Sequence, residues 1–369
     1  MRRVLLPILL ALAIFLASSA AFAADAASFR TPEYLKLGGT ETMSALDWIN
    51  AAEAYAAGYT GKGVRVAIID SAAYPEHREF MGKSYEIYWS GLPVENESHG
   101  VYVSGIIAAN RDGLEMHGVA YDANLFTSII NLGADYDTMG KIFYSLFDHP
   151  EIKIVNNSYG NGLTLDVIVY EDYIIDPGYE SIRSYFDNSF NKYYYPISDL
   201  ATTNDVLFIY AAGNNFVTSP IGFANLPSLV FGVKLIGQNE PIAPYGFPNM
   251  PSDNRQLTTD ELRALTLNII SVSAFDPSAI DNDGNQSTKS LNFPYCFSNL
   301  ADGARDYTLF APGASITTTD SSSPISYATV SGTSMAAPVV TGVAALVQQA
   351  FPFMGGKQIA DILLSTPNP

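Results

Sequence analysis

Four polar residues of the sequence stand in local settings that suit acyl transfer, which needs a nucleophile, a base, an orienting carboxylate and oxyanion donors. Asp70 ends an apolar run typical of a strand, and His99 begins a stretch with helical spacing. Asn214 follows a strand-like run and a glycine, and Ser334 precedes a long helical segment. Each residue also has a structural interpretation: Asp70 and Asn214 as turn residues, His99 as a core histidine and Ser334 as a helix cap.

Ser334 has the most specific setting of the four. It lies in Gly-Thr-Ser-Met-Ala-Ala-Pro, where small residues permit a tight turn into a buried helix. The N-terminus of that helix supplies positive potential and a backbone donor for a developing oxyanion. An ordinary cap serine does not account for the whole run. Among the histidines, His77, His117 and His149 lack the setting of His99.

The elements that must position these residues are short apolar runs alternating with helical stretches. This alternation predicts an α/β fold of three layers, with a mostly parallel sheet covered by helices on both faces. Ligands of such sheets bind beyond the carboxyl ends of the strands, where the polar residues lie. The predicted strands are 64–69, 125–130, 152–155, 206–210 and 268–272, and the predicted helices are 44–56, 101–109, 335–349 and 357–364.

The polar motifs occur in a characteristic order along the chain. Asp70-Ser-Ala, Ser-His99-Gly, Ala-Ala-Gly-Asn214 and Gly-Thr-Ser334-Met-Ala-Ala-Pro follow one another, and together they resemble subtilisin-like serine proteases over about residues 45–365. The resemblance implies an endopeptidase with Ser334 as nucleophile, His99 as general base and Asp70 as its orienter. It also implies that Asn214 and the backbone N–H of Ser334 bind the oxyanion.

The resemblance extends to segments that would hold a peptide substrate. One resembles the edge along which an extended substrate adds as a strand, and the other would wall the pocket for the residue before the scissile bond. The first comprises Ser158, Tyr159 and Gly160, and the second comprises Ala211, Ala212 and Gly213.

Several local segments are similar to the passenger domains of subtilase autotransporters. They include 45–63, 156–160 and 359–366. This likeness keeps a second hypothesis open, a non-catalytic passenger that acts as an adhesive or interaction module. It also implies a closing strand and helix, and a membrane translocator, beyond residue 369. No folding prodomain of the family's size fits between residue 24 and the first helix.

The first 23 residues have the three-part pattern of a secretory signal peptide, which predicts a secreted or surface protein. Residues 24–43 are expected to form a loosely held arm, and 44–369 a single peptidase domain. Residues 161–200 and 216–262 are expected to be surface insertions. A single cysteine, Cys296, excludes an internal disulfide.

Net charge argues against nucleic acid as a partner. The chain carries −18, and loss of the two signal arginines makes the mature chain about −20. The resemblance implies a protein or peptide substrate and no required cofactor, although calcium is common in the family. Residues 281–285 are rich in Asp and Asn and are a candidate calcium loop. Their spacing does not match an EF-hand and favours a polar turn.

Overall fold

The computed structural model describes most of the predicted peptidase domain. The described residues are 24–38, 44–89, 97–130, 136–159, 169–170, 173–174, 195–215, 224, 264, 266–276, 297–301 and 304–366. The predicted signal peptide and the polar turn at 281–285 lie outside these residues. Within them, no helix is long and apolar enough to cross a membrane.

The described strands form one large sheet and two small hairpins. They are β1 (Arg65–Asp70), β2 (Tyr85–Trp89), β3 (Asn124–Ile129), β4 (Ile154–Asn157), β5 (Val169–Tyr170), β6 (Tyr173–Ile174), β7 (Leu207–Ala211), β8 (Ile269–Phe275), β9 (Thr308–Pro312), β10 (Ile316–Thr319) and β11 (Tyr327–Val330). The large sheet has the order β2-β3-β1-β4-β7-β8-β9, and every neighbouring pair in it is parallel. The hairpins pair β5 with β6 and β10 with β11.

Helices cover the sheet. The α-helices are α1 (Ala45–Trp48), α2 (Ala51–Ala56), α3 (His99–Ala108), α4 (Tyr136–Ser145), α5 (Tyr195–Asp199), α6 (Thr333–Ala350) and α7 (Gly356–Ser365). Short 3-10 turns lie at Ala26–Phe29, Tyr34–Lys36, Arg78–Phe80, Leu146–Asp148 and Arg305–Tyr307, and a π-turn at Leu200–Asn204.

Alternating strand residues build a separate core on each face of the sheet. Val66 and Ile68 of β1 belong to the core that α3 and α6 cover, whereas Ala67 and Ile69 belong to the core under α4 and α5. Because side chains alternate along a strand, Asp70 continues the series that faces α3. The structure confirms the predicted three-layer α/β fold and places Asp70 below the helix that begins at His99.

The segment before α1 is not the loosely held arm that its polar composition suggested. Tyr34 and Leu37 are fully buried and belong to the same core as α3 and α6. The Tyr34 hydroxyl donates to Asp47, and Arg30 forms an ion pair with the same carboxylate. Two large apolar groups and two polar anchors therefore hold the described part of the arm, residues 24–38, against the domain.

Two further expectations need correction. The helix predicted over 44–56 is divided at Asn50, which adopts a left-handed conformation with φ 52°. The end of the first predicted insertion is not a surface feature, because Ile197 and Leu200 are fully buried in the second core. The remaining parts of both insertions lie largely outside the described residues.

Candidate active site

The candidate site lies where three adjacent central strands end. Because β1, β4 and β7 are parallel, their carboxyl ends meet at one edge of the sheet. Asp70 is the last residue of β1, Ser158 follows β4 directly, and Asn214 comes three residues after β7. Neighbouring strands thus bring together residues that are far apart in sequence.

Asp70 is a buried carboxylate with a specific set of donors. Its side chain accepts hydrogen bonds at Oδ1 from Nδ1 of His99 at 2.8 Å and from the backbone N–H of Ser71 at 2.7 Å. Only 1% of the residue is exposed. Its second oxygen, Oδ2, has no hydrogen-bond partner within the described part of the chain. A buried charge is costly unless hydrogen bonds or an ion pair compensate it, and the bonds from His99 and Ser71 provide that compensation.

His99 is the first residue of α3, and close backbone packing brings it to Asp70. A Cβ atom at Gly100 would lie 2.1 Å from the carbonyl oxygen of Ala72, so only glycine allows this turn of α3 to contact the loop after β1. The hydroxyl of Ser104 donates to the Gly100 carbonyl at 2.7 Å and contacts the Tyr85 hydroxyl at 2.9 Å. The first turn of α3 is therefore fixed to the sheet.

The Asp70 contact determines which nitrogen of His99 can act as a base. A carboxylate only accepts hydrogen bonds, so Nδ1 carries the proton and Nε2 keeps a free lone pair. The charge of Asp70 holds the pKa of His99 above its ordinary value, although burial of the ring acts in the opposite direction. About a third of the His99 side chain is exposed, so the ring remains accessible from the cleft.

Ser334 is the second residue of α6, and a proline explains how its backbone is held. Pro338 has no N–H, so the Ser334 carbonyl four residues earlier loses its usual helical donor. The hydroxyl of Ser158 replaces that donor at 3.0 Å. The Gly-Thr-Ser-Met-Ala-Ala-Pro run thus couples the start of α6 to the end of β4.

The hydroxyl of Ser334 has a different partner from the one its implied role requires. It donates to the carbonyl oxygen of Ser158 at 2.7 Å, and not to His99. Rotation about the Cα–Cβ bond of Ser334 would have to redirect this hydroxyl toward Nε2 of His99 before proton transfer. Only 9% of Ser334 is exposed, so the side chain sits in a recess at the helix N-terminus.

Asn214 is oriented by Thr333, the residue before Ser334. Both the backbone N–H and the hydroxyl of Thr333 donate to Oδ1 of Asn214, at 2.9 and 3.0 Å. The same hydroxyl accepts from the N–H of Gly213 at 3.1 Å. These two bonds fix the orientation of the amide, and its NH₂ group makes no hydrogen bond within the described part of the chain. Gly213 has φ 109°, a conformation that favours glycine.

Two residues that hold this site, Thr333 and Asn299, were not predicted from the sequence. Asn299 is fully buried and hydrogen-bonded to the segment 212–215, although it lies more than eighty positions away in sequence. Its only sequence signal was a polar residue within an otherwise unremarkable Phe-Ser-Asn-Leu stretch. Contacts of this kind depend on tertiary packing, and local spacing does not predict them.

The predicted substrate segments are partly described. Ser158, Ala211 and Ala212 are buried, Gly213 and Tyr159 are half-buried, and Gly160 lies outside the described residues. The hydroxyl of Tyr159 donates to Asn157 at 3.3 Å. Since the hydroxyl and carbonyl of Ser158 both bind Ser334, this residue supports the serine directly. No cluster of three or more His, Cys, Asp or Glu side chains suited to a metal ion occurs among the described residues.

The fold and the site together define a class of protein. The fold has three layers, a parallel sheet with helices on both faces. It carries an Asp–His pair and a serine at a helix N-terminus, in the chain order Asp, His, Ser. This is the arrangement of a subtilisin-type serine hydrolase. The subtilase family matches residues 61–368, and the chain belongs to this family.

Individual relatives agree with this assignment. An extracellular serine protease of Serratia marcescens is 28% identical over 376 residues, which cover 92% of this chain but 32% of that protein. Subtilisin DY of Bacillus licheniformis is 23% identical, with 86% of this chain and 88% of the relative covered. The solved structure of a prenylagaramide maturation protease superposes with a TM-score of 0.55 at 19% identity, covering 86% of this chain and 88% of that one. This structural likeness supports the fold.

Proposed function

We propose that this chain is a serine endopeptidase that hydrolyses peptide bonds through an acyl-enzyme. The observation that carries the proposal is the 2.8 Å bond between Asp70 and His99 at the end of β1, together with a serine recessed at the N-terminus of α6. Membership of the subtilase family supports the same reaction class. The substrate is a protein or peptide chain.

In the proposed reaction, His99 carries one proton from the Ser334 hydroxyl to the departing amine of the substrate. The Ser334 oxygen attacks the scissile carbonyl carbon while Nε2 of His99 takes the hydroxyl proton. The C–N bond then breaks, and His99 gives the proton to the departing amine. Water attacks the acyl-enzyme by the same route in reverse, releasing the new carboxylic acid and restoring the Ser334 hydroxyl.

Asp70 and Asn214 stabilise the charges that develop during this reaction. Asp70 keeps Nδ1 of His99 protonated and stabilises the imidazolium after proton transfer. The NH₂ group of Asn214 and the backbone N–H of Ser334 donate to the negative oxygen of the tetrahedral intermediate. Because neutral His99 is the base and its pKa is raised, activity should be lost on the acid side at a pH above the ordinary histidine value of about 6.5.

The alternative function, a non-catalytic adhesive or interaction module, is less well supported. Such a module would have no need for a buried carboxylate facing a histidine, or for an asparagine side chain oriented by Thr333. Burial of the Asp70 carboxylate costs free energy that its hydrogen bonds only partly offset, and a module that merely binds a partner gains nothing from this arrangement. The buried Asp70–His99 pair therefore favours the enzyme.

We also propose that the protein is exported, with cleavage after Ala23. Support comes from the signal-like composition of residues 1–23 and from relatives described as extracellular proteases. The proposal that the domain serves as an autotransporter passenger rests on local sequence likeness. The chain spans 32% of the length of the Serratia marcescens relative, which therefore carries the matching region within a much longer protein.

A peptidase assay on a matched pair of variants tests the proposed function. Ser334→Ala should lose activity by roughly 10⁴-fold or more, because the nucleophile is removed. Ser331→Ala is the control, since this exposed serine lies three residues before Ser334, and its hydroxyl accepts from the N–H of Ser315. Activity of Ser334→Ala within tenfold of the parent would remove Ser334 from the mechanism.

A further inference from the structure

The segment 212–215 carries the proposed oxyanion donor and part of the proposed pocket wall, and one remote side chain holds it. Asn299 donates through its backbone N–H to the carbonyl of Gly213 at 2.9 Å. Its Nδ2 donates to the carbonyl of Ala212 at 2.9 Å, and its Oδ1 accepts from the N–H of Asn215 at 2.9 Å. A single residue therefore makes hydrogen bonds on both sides of Asn214.

The anchoring of Asn299 to the sheet makes these contacts rigid. The hydroxyl of Ser273, on β8, donates to the Asn299 carbonyl at 2.7 Å. The neighbouring Ser298 hydroxyl donates to the same carbonyl at 2.9 Å and accepts from the N–H of Ala274 at 2.8 Å. Asn299 is fully buried, so water does not compete for these bonds.

Asn299 and Thr333 hold different parts of Asn214. Thr333 fixes the side-chain oxygen of Asn214, whereas Asn299 fixes the backbone before and after it. An oxyanion donor is effective only when it is held in place before charge develops, since a displacement of about 1 Å can cost roughly 10²-fold in rate. Asn214 itself is exposed, so its own burial does not provide this rigidity.

We propose that Asn299 is a positioning residue for the reaction, acting through Asn214 by clamping the backbone on both sides of it. This inference rests on the proposed function, in which Asn214 stabilises the oxyanion. Asn299 does not touch the substrate in this account. Its removal should lower kcat and leave the KM of a small ester substrate largely unchanged.

A double-mutant cycle with Asn214→Ala separates positioning from general stability. Asn299→Ala should lower kcat by roughly tenfold in the parent, because the clamp is lost while the donor remains. In the Asn214→Ala background the same change should cost less than about twofold, because no donor is left to position. Asn268→Ala is the matched control, since Asn268 is a buried asparagine whose Nδ2 donates to Asp205 and to the carbonyl of Val206, before β7 and at the opposite strand ends from the site. It should lower the melting temperature but preserve kcat.

The outcomes distinguish this inference from the proposed function. An inactive parent, or an unchanged kcat in Asn214→Ala, would contradict the role of Asn214 and with it the clamp. An active parent in which Asn299→Ala costs the same factor with and without Asn214 would overturn the positioning role alone. If Asn299→Ala does not fold, Asn299→Ser keeps the backbone bond to Gly213 and a small neutral polar side chain, which is too short to bind Ala212 and Asn215 as Asn299 does. It should show the same dependence on Asn214, and independent effects would overturn the proposal.

Discussion

At the scale of single residues, the candidate site depends on hydrogen bonds that orient His99 and Asn214. Each bond positions one nitrogen of the side chain to take part in the proposed reaction. Nδ1 of His99 binds Asp70, so Nε2 is free to act as the base. Oδ1 of Asn214 binds Thr333, so the NH₂ group is free to donate. Local motifs nominate Asp70, His99, Asn214 and Ser334 as candidates, because each stands in a distinctive sequence setting. The orienting residues Thr333 and Asn299 were not predicted, because their roles exist only after distant segments meet.

Removal of the Asn214 side chain should slow the chemical step. We expect Asn214→Ala to lower kcat by roughly 10²–10³-fold, the magnitude known for the corresponding donor of subtilisin. KM should change little, because the donor acts mainly on the transition state. Steady-state kinetics on a small peptide ester measures both constants, and Asn215→Ala serves as a control at the neighbouring exposed position. An effect confined to KM would show that Asn214 binds substrate only.

At the scale of elements, the central strands and the helices α3, α6 and α7 were predicted within a few residues of their bounds, whereas α4 was not predicted. The edge strands β2 and β9 were missed. The described side chains of β2 are half-buried or exposed, and β9 is a short run that is buried only at its end and that includes a proline. Close contacts then fix the helices on the sheet. A Cβ atom at Gly105 of α3 would lie 2.3 Å from the Thr319 hydroxyl, so the β10–β11 hairpin packs directly against this helix.

The end of α6 is clamped to the turn before β1 by one side chain. Oε1 of Gln349 accepts from the N–H groups of Thr60 and Gly61 at 2.6 and 2.7 Å, and its Nε2 donates to Gly58 at 3.1 Å. Gln349→Met should therefore lower the free energy of unfolding by about 2 kcal/mol, because two backbone donors lose their acceptor. Urea unfolding in the Ser334→Ala background avoids self-digestion during the measurement.

The adjacent residue provides a control for this prediction. Oε1 of Gln348 is buried without a hydrogen-bond partner in the described part of the chain. Gln348→Met should consequently cost less than Gln349→Met, because it removes no bond to that oxygen. Equal unfolding midpoints for the two variants would show that the clamp at Gln349 does not stabilise the protein.

At the scale of the whole molecule, the arm before α1 completes the core on the active-site side of the sheet. Its composition predicted a loose segment, because a few buried aromatic residues among polar ones give a weak periodic signal. In the folded protein, Tyr34 packs against His117, whose ring also contacts Tyr55 and Tyr121. The packing of the arm therefore depends on His117, which lies far from the arm along the chain. We expect protonation of this histidine to change the stability of the protein.

His117 should make the protein sensitive to acid. Burial lowers its pKa to about 4, so the unfolded chain binds a proton that the folded chain excludes as pH falls from about 6.5 to 4. Its contribution to stability is therefore present above pH 6.5 and is lost between these values, by roughly 2 kcal/mol at pH 4.5. Buried Glu79, whose pKa is raised to about 7, acts in the opposite direction.

A comparison with His117→Gln isolates this effect, because the contribution of Glu79 is common to both proteins. Thermal melts of the two proteins at pH 7.5 and pH 4.5, both in the Ser334→Ala background, provide the measurement. The parent should lose more of its Tm than the variant does over this interval. Equal losses of Tm in the two proteins would show that His117 does not titrate as its burial requires.

The central claim is that Ser334 is a nucleophile activated by His99 and Asp70, and covalent labelling tests it most directly. The protein is incubated with a fluorophosphonate, digested, and the modified residue located by mass spectrometry. We expect one label, on Ser334. The labelling rate should fall in acid with an apparent pKa above about 6.5, and it should collapse in His99→Ala. An unlabelled Ser334, or labelling that is unchanged by His99→Ala, would contradict it.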